Sequence, residues 1–129
     1  MILAQSLAVA VLSSVPSYFR DALLVLFGFQ LFFYTCLFCL DPGTLVEDEE
    51  EKYEEDRYLC QNCRLYRYSS TRHCSFCRKC VRGYDHHCAF FGKCIGRHNF
   101  IIFCLFALTS FVAGMTAMGT LAFTFIQHL

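Results

Sequence analysis

The chain has 129 residues, with eleven basic and eleven acidic side chains, ten cysteines, five histidines and fifteen phenylalanines. Its net charge of zero conceals a division: residues 1–40 carry only Arg20 and Asp21, residues 100–129 carry no formal charge, and residues 41–99 carry the rest. Two such apolar ends exceed what one small soluble core can hide, which excludes an ordinary globular domain and points to a membrane protein.

In chain order, Met1 to Val15 is a 15-residue apolar stretch. It is open to three readings: a short first span, a span lacking its beginning, or the apolar region of a signal peptide. The last lacks its basic lead-in, since the first basic residue is Arg20. Pro16 and Ser17–Asp21 read as a tight turn between two spans. Ala22 to Leu40 supplies 19 residues, just enough to cross a bilayer as a helix. Asp41-Pro42-Gly43 then signals a turn out of that helix. Glu47 to Asp56 is an acidic run, read as a solvated spacer. From Arg57 to His98 the sign reverses, with nine basic residues against Asp85. Phe100 to Ile126 gives 27 uncharged residues, which span as a helix with some tilt. Within it Ser110, Ala113, Gly114 and Ala117 recur at helical spacing. That pattern admits a close neighbouring helix, or reflects the ordinary small-residue content of such helices.

Ten of the eleven basic residues lie in the middle segment, which the positive-inside rule places in the cytosol. Free thiols need the same reducing compartment. The expected fold is therefore a membrane protein of two or three transmembrane α-helices with a cytosolic, loop-rich, cysteine-rich domain. Its divisions are 1–15 and 22–40 in the membrane, 41–99 in the cytosol, and 100–126 in the membrane.

Seven of the ten cysteines fall between Cys60 and Cys94, interleaved with histidines. A shift of 14 residues carries Cys60 onto Cys74, Cys63 onto Cys77, His73 onto His87 and Cys80 onto Cys94. Two equivalent sets emerge: Cys60, Cys63, His73, Cys80 and Cys74, Cys77, His87, Cys94. Each is a Cys-x2-Cys knuckle followed by a His and a Cys, the donor set of a closed tetrahedral zinc site. The rival pairing of Cys60/Cys63 with Cys77/Cys80 strands Cys74, Cys94 and both histidines. Residues 57–99 have too few aliphatic side chains for a conventional core. Two structural zinc ions therefore have to supply the folding energy.

Cys88, His86 and His98 remain once the eight ligands are assigned. Cys88 stands where a third knuckle would begin, but its partner position is Phe91. A free thiol ionises near pH 8.5, so a nucleophilic Cys88 needs a base and its orienter. His86 can take the proton, and Asp85 can hold the imidazole in the right tautomer. The alternative makes Asp85 a partner of a zinc-bound His87, with Cys88 inert. Spacing alone leaves these even. Cys88 lies only twelve residues before the span at Phe100, where a fatty chain can enter from one side, and this favours the nucleophile.

The series Cys60-x2-Cys63-x9-His73-Cys74-x2-Cys77-x2-Cys80-x4-Asp85-His86-His87-Cys88-x5-Cys94-x4-Asn99 resembles the cysteine-rich domain of the Asp-His-His-Cys protein S-acyltransferases. Asp41-Pro42-Gly43, Gly96 and Phe103 also look like that family, so the match covers residues 41–103. The resemblance implies transfer of a palmitoyl group from palmitoyl-CoA to Cys88, then to cysteines of protein substrates. It implies His86 as general base, Asp85 as its orienter and His87 as a zinc ligand. It also implies a basic surface for coenzyme A phosphates, with Arg57, Arg64, Arg67, Arg72, Arg78, Lys79 and Arg97 as candidates. Endoplasmic reticulum or Golgi membrane is implied in the same way. The family usually has Pro-Trp after the nucleophile, where this chain has Ala89-Phe90. It typically has four spans, followed by a Thr-Thr-x-Glu motif, whereas this chain reads as stopping after the third.

Two other functions compete. One is a catalytically incomplete short form, acting as a membrane zinc-binding adaptor that associates with other membrane helices. The other is nucleic-acid binding, which is not expected because the basic stretch lacks a recognition-helix pattern. Cys36, Cys39 and Cys104 lie in or beside spans, where packing is the simpler role, although Cys36 and Cys39 are also open to acylation.

Overall fold

The computed structural model describes residues 15–46, 58–127 and 129. The apolar stretch beginning at Met1, apart from Val15, lies outside the described residues, as do the acidic run Glu47–Asp56 and Arg57.

Among the described residues, two long helices carry the apolar sequence. Helix α1 is Ser17–Cys39 and helix α2 is Phe100–Gln127. The second matches the expected span. The first opens five residues before Ala22, so the segment expected as a turn is instead the first turn of α1. Pro16 explains the difference. Its carbonyl accepts from the Phe19 and Arg20 amides at 3.0 and 3.4 Å, and its missing N–H is no loss at a helix entrance. Arg20 and Asp21 ride on this turn as an exposed pair at 3.9 Å.

Both helices are long and apolar enough to cross a membrane. Only 6 % and 0 % of their most apolar stretches are buried within the chain, the opposite of a soluble core helix. The threonines of α2 fit that setting. Thr109, Thr116, Thr120 and Thr124 each donate a hydroxyl hydrogen bond to a carbonyl three or four residues back, so none of these four hydroxyls needs water.

The described residues form two compact units, one of residues up to Tyr34 with those from Leu105 onward, and one between Thr35 and Cys104. In the first, α1 and α2 run antiparallel: Phe19 meets Phe123 at 6.2 Å, and Tyr34 meets Phe106 at 6.4 Å. The small-residue face of α2 is open at Gly114, where an added Cβ would meet nothing within 4 Å.

The second unit is built on three short antiparallel hairpins. They are β1 (Tyr58–Leu59) with β2 (Tyr66–Arg67), β3 (Arg72–Cys74) with β4 (Lys79–Val81), and β5 (His86–Cys88) with β6 (Lys93–Ile95). Their registers repeat with the 14-residue shift of the sequence: Tyr58 faces Arg67, Arg72 faces Val81, and His86 faces Ile95. The turn geometry repeats too. Arg64, Arg78 and Gly92 all adopt a left-handed backbone, with φ of 59°, 54° and 62°. One structural unit thus occurs three times, although only two copies have a full knuckle.

Backbone stitching joins the hairpins to the helix ends. The Asp41 carboxylate accepts from the Gly43 and Thr44 amides at 2.7 and 2.6 Å, which turns the chain back from α1. Residues 43–45 then run along β4, with Arg82 N donating to Gly43 O and Leu45 N donating to Cys80 O. Gly96 lies under this crossing, and a Cβ there would sit 2.5 Å from Pro42 O and 2.6 Å from the Val81 side chain. Asn99, fully buried just before α2, turns its amide back on the preceding loop. It accepts from Gly96 N at 2.9 Å and donates to Cys94 O at 3.1 Å. Among the described residues aliphatic burial is sparse, limited to Leu37, Leu45, Val81 and Ile95, and cysteines fill much of the remaining core.

Candidate metal centres and catalytic centre

The hairpins assemble the two four-residue sets by handing donors from one copy to the next. The turn of the first hairpin contributes Cys60 and Cys63, and the strands of the second contribute the facing pair His73 and Cys80. The end of β3 and the turn after it contribute Cys74 and Cys77, and the third hairpin contributes the facing pair His87 and Cys94. Within each set all four donor atoms lie within 4.8 Å of one another. His73 Nδ1 is 3.2 Å from Cys63 Sγ and 3.8 Å from Cys80 Sγ. His87 Nδ1 is 3.6, 3.3 and 3.8 Å from the sulfurs of Cys74, Cys77 and Cys94. A tetrahedron with Zn–S of about 2.3 Å and Zn–N of about 2.0 Å has edges of roughly 3.5–3.8 Å. The donors fit zinc in kind and in spacing.

Electrostatics agree with a cation at these positions. Burial, together with hydrogen bonds and charge from Cys60 and Cys63, pushes the Cys80 thiol up to about 12. Burial, Cys77 and Cys74 push Cys94 up in the same way. Burial acts to raise Cys60 and Cys74 as well, but hydrogen bonds from the amides and thiols around them hold both below the ordinary thiol range. A bound cation would take the place of the protons that remain in each set.

The third hairpin holds the residues left over. His86 Nδ1 lies 2.9 Å from Asp85 Oδ2. A carboxylate only accepts, so Nδ1 carries the proton and Nε2 is the free base. Cys88, two residues further along β5, lies on the same face of the strand as His86, and the two groups interact electrostatically. Asp85 and His86 are thus hydrogen-bonded with Cys88 beside them on one face of β5, while His87 turns its Nδ1 to the other face. The hydrogen bond to Asp85, then the interaction with Cys88, raises His86 above the usual imidazole range against the effect of burial. Burial acts to raise Cys88. Interaction with His86 and hydrogen bonds from the Phe91 and Phe90 amides outweigh it, and hold the thiol below its ordinary range. Those amides are inherited from the knuckle: the Cys77 amide donates to Cys74 Sγ at 3.5 Å in the second hairpin.

Aromatic rings complete the surroundings. Phe103, in the first turn of α2, meets the His86 ring edge-on at 5.2 Å and Phe91 at 6.3 Å. Phe90 is largely exposed. Among the basic candidates, Arg67 donates to Thr71 O and is half-buried, Arg64 and Arg78 occupy hairpin turns, and Arg72, Lys79 and Arg97 are exposed.

Several site features escape sequence reasoning. The choice of Nδ1 over Nε2 in both metal sets has no sequence signal. Asn99 was legible as part of the motif, but not as a clamp on the Cys94 loop. Lys93, which faces Cys88 across the hairpin, carried no signal beyond its place in the 14-residue repeat.

Comparison with known proteins supplies the family. The family model described as DHHC palmitoyltransferase matches residues 53–129. The chain is 33 % identical over 135 residues to palmitoyltransferase ZDHHC5 of Bos taurus, which covers 89 % of this chain and 18 % of that protein. It is 32 % identical over 118 residues to palmitoyltransferase ZDHHC5-A of Danio rerio, and 32 % identical over 117 residues to palmitoyltransferase ZDHHC5 of Homo sapiens. These alignments cover 73 % and 75 % of this chain, and 16 % of each relative. The chain thus spans less than a fifth of the length of these curated relatives. With a family match over more than half its length, centred on the hairpins that gather both Cys3His sets, this chain belongs to the DHHC palmitoyltransferase family.

Proposed function

We propose that this chain is a protein S-palmitoyltransferase that works through an acyl-enzyme on Cys88. The Asp85–His86 hydrogen bond, with Cys88 on the same face of β5, carries the reading. In the first step His86 Nε2 accepts the thiol proton, and Cys88 Sγ attacks the thioester carbonyl of palmitoyl-CoA. Collapse of the tetrahedral intermediate breaks the bond to the coenzyme A sulfur, which leaves and takes the proton from His86. In the second step a cysteine of a protein substrate loses its proton to His86 and attacks the Cys88 thioester. The acyl group moves to the substrate, and Cys88 Sγ recovers the proton. Asp85 orients the imidazole and balances its transient charge.

Zinc, when bound at Cys60, Cys63, His73, Cys80 and at Cys74, Cys77, His87, Cys94, supplies rigid crosslinks between successive hairpins. These residues leave no open coordination position, so the metal's part is to fix the backbone that presents Cys88. The cysteine-rich segment 41–99 is assigned to the cytosol, with α2 and the apolar segments within 1–40 in the membrane of the endoplasmic reticulum or Golgi. Its basic residues support that orientation. The same exposed residues, Arg72, Arg78, Lys79 and Arg97 among them, suit the phosphates of coenzyme A.

Purified protein in detergent, incubated with a clickable palmitoyl-CoA analogue, tests the reading. Label that hydroxylamine removes, present on the parent and missing from Cys88→Ser, is the expected result. An unlabelled parent with two zinc ions bound would replace this reading with that of a membrane zinc-binding adaptor.

A further inference from the structure

The first two hairpins end in cysteines that belong to four-donor clusters, whereas the tip of the third, with Cys88 and Phe91, belongs to none among the described residues. Its tip still has to be held, because Cys88 must stay within reach of a His86 that Asp85 and Phe103 already fix. Lys93 stands directly opposite Cys88 in the β5–β6 register, so the two share one face of the hairpin. Its ammonium donates to Leu37 O at 2.9 Å, to Phe38 O at 3.0 Å, and to Leu40 O. All three ammonium protons are thereby used. The acceptors are last-turn carbonyls of α1 and the one just beyond, which have no partner further along the helix and form the negative end of its dipole. A cation is the group that such a terminus accepts best.

The equivalent positions in the other hairpins behave differently. Leu65 packs beside Leu45, Cys60 and Cys80, and Lys79 is exposed. In those copies the metal cluster secures the tip. In the third, a lysine tied to a helix end does.

We propose that Lys93 is a positioning residue that substitutes for a third metal, fastening the Cys88 strand pair to the end of helix α1. This rests on the acyl-transfer reading for its consequence, but not for the clamp itself. Releasing the ammonium loosens β5 against β6 and lets Cys88 drift from His86, while both metal sets keep all their donors.

The test compares the full chain in detergent with Lys93→Met and Lys93→Arg, using three readouts. Native mass spectrometry counts zinc, hydrogen exchange follows residues 86–95 against 72–81, and single-turnover loading is measured across palmitoyl-CoA concentrations. Lys93→Met is expected to keep two zinc ions and to exchange faster in 86–95 with 72–81 unchanged. Its loading at saturating donor should be slower by on the order of 10–100-fold, with half-saturation unmoved. Lys93→Arg, which still offers donors to the three carbonyls, should recover most of that loss. Unchanged exchange in 86–95, parental loading in Lys93→Met, or loss of zinc from that variant would each overturn the assignment. If the parent itself takes no label, the acyl-transfer reading falls, and the exchange arm alone decides the clamp.

Discussion

The second and third hairpins share a backbone and part ways in chemistry. Both pair three residues in equivalent register, both turn through a left-handed residue, and both aim turn amides at the sulfur of their leading cysteine. In the second hairpin Cys77 completes a knuckle with Cys74, and both sulfurs join a cluster. In the third the corresponding residue is Phe91, and Cys88 is left to His86. On the proposed reading, a site that stabilises a thiolate for metal binding becomes, on losing one ligand, a site that stabilises a thiolate for attack. The difference rests on a single side chain and the Asp85–His86 pair before it.

The comparison breaks most completely at the metal sets. His73→Ala or Cys77→Ser should unfold residues 58–99 and release zinc, since structural zinc supplies an apparent stabilisation of about 10–16 kcal/mol and little aliphatic core exists to replace it. Retention of two zinc ions in either variant would show that the sets are misassigned. In the third hairpin, His86→Ala should keep both metals and slow acyl loading by roughly 10²–10⁴-fold, the usual contribution of a general base. Zinc loss there would move His86 into a metal shell. A smaller effect is expected where the repeat meets α2. Asn99→Ala strands the Gly96 amide and the Cys94 carbonyl and should lower stability by about 1–3 kcal/mol, read as a lower melting temperature in detergent. The smallest effects sit at the shared left-handed turn position. Gly92→Ala should lose about 1–2 kcal/mol, and Arg78→Gly should stay within about 1 kcal/mol of the parent.

Much of this was legible in the sequence because the repeat is covalent pattern: donors, knuckles and the odd position of Cys88 all follow from sliding the chain by 14 residues. The span at Phe100 was legible because charge is missing throughout it. The start of α1 was misread because Pro16 and Ser17 look like turn residues, whereas a proline serves a helix entrance equally well. Lys93 was illegible for a different reason. Its acceptors are backbone carbonyls 53 to 56 residues away, and a carbonyl leaves no mark on the sequence. The clamp of Asn99 on Cys94 O is hidden in the same way.

Native mass spectrometry of the parent and Cys88→Ser, before and after exposure to palmitoyl-CoA, tests most directly that Cys88 occupies a ligand's position without being a ligand. The expected result is two zinc ions in both proteins, with one acyl mass gained by the parent alone. Loss of a zinc ion from Cys88→Ser, or an acyl mass gained by that variant as readily as by the parent, would contradict it.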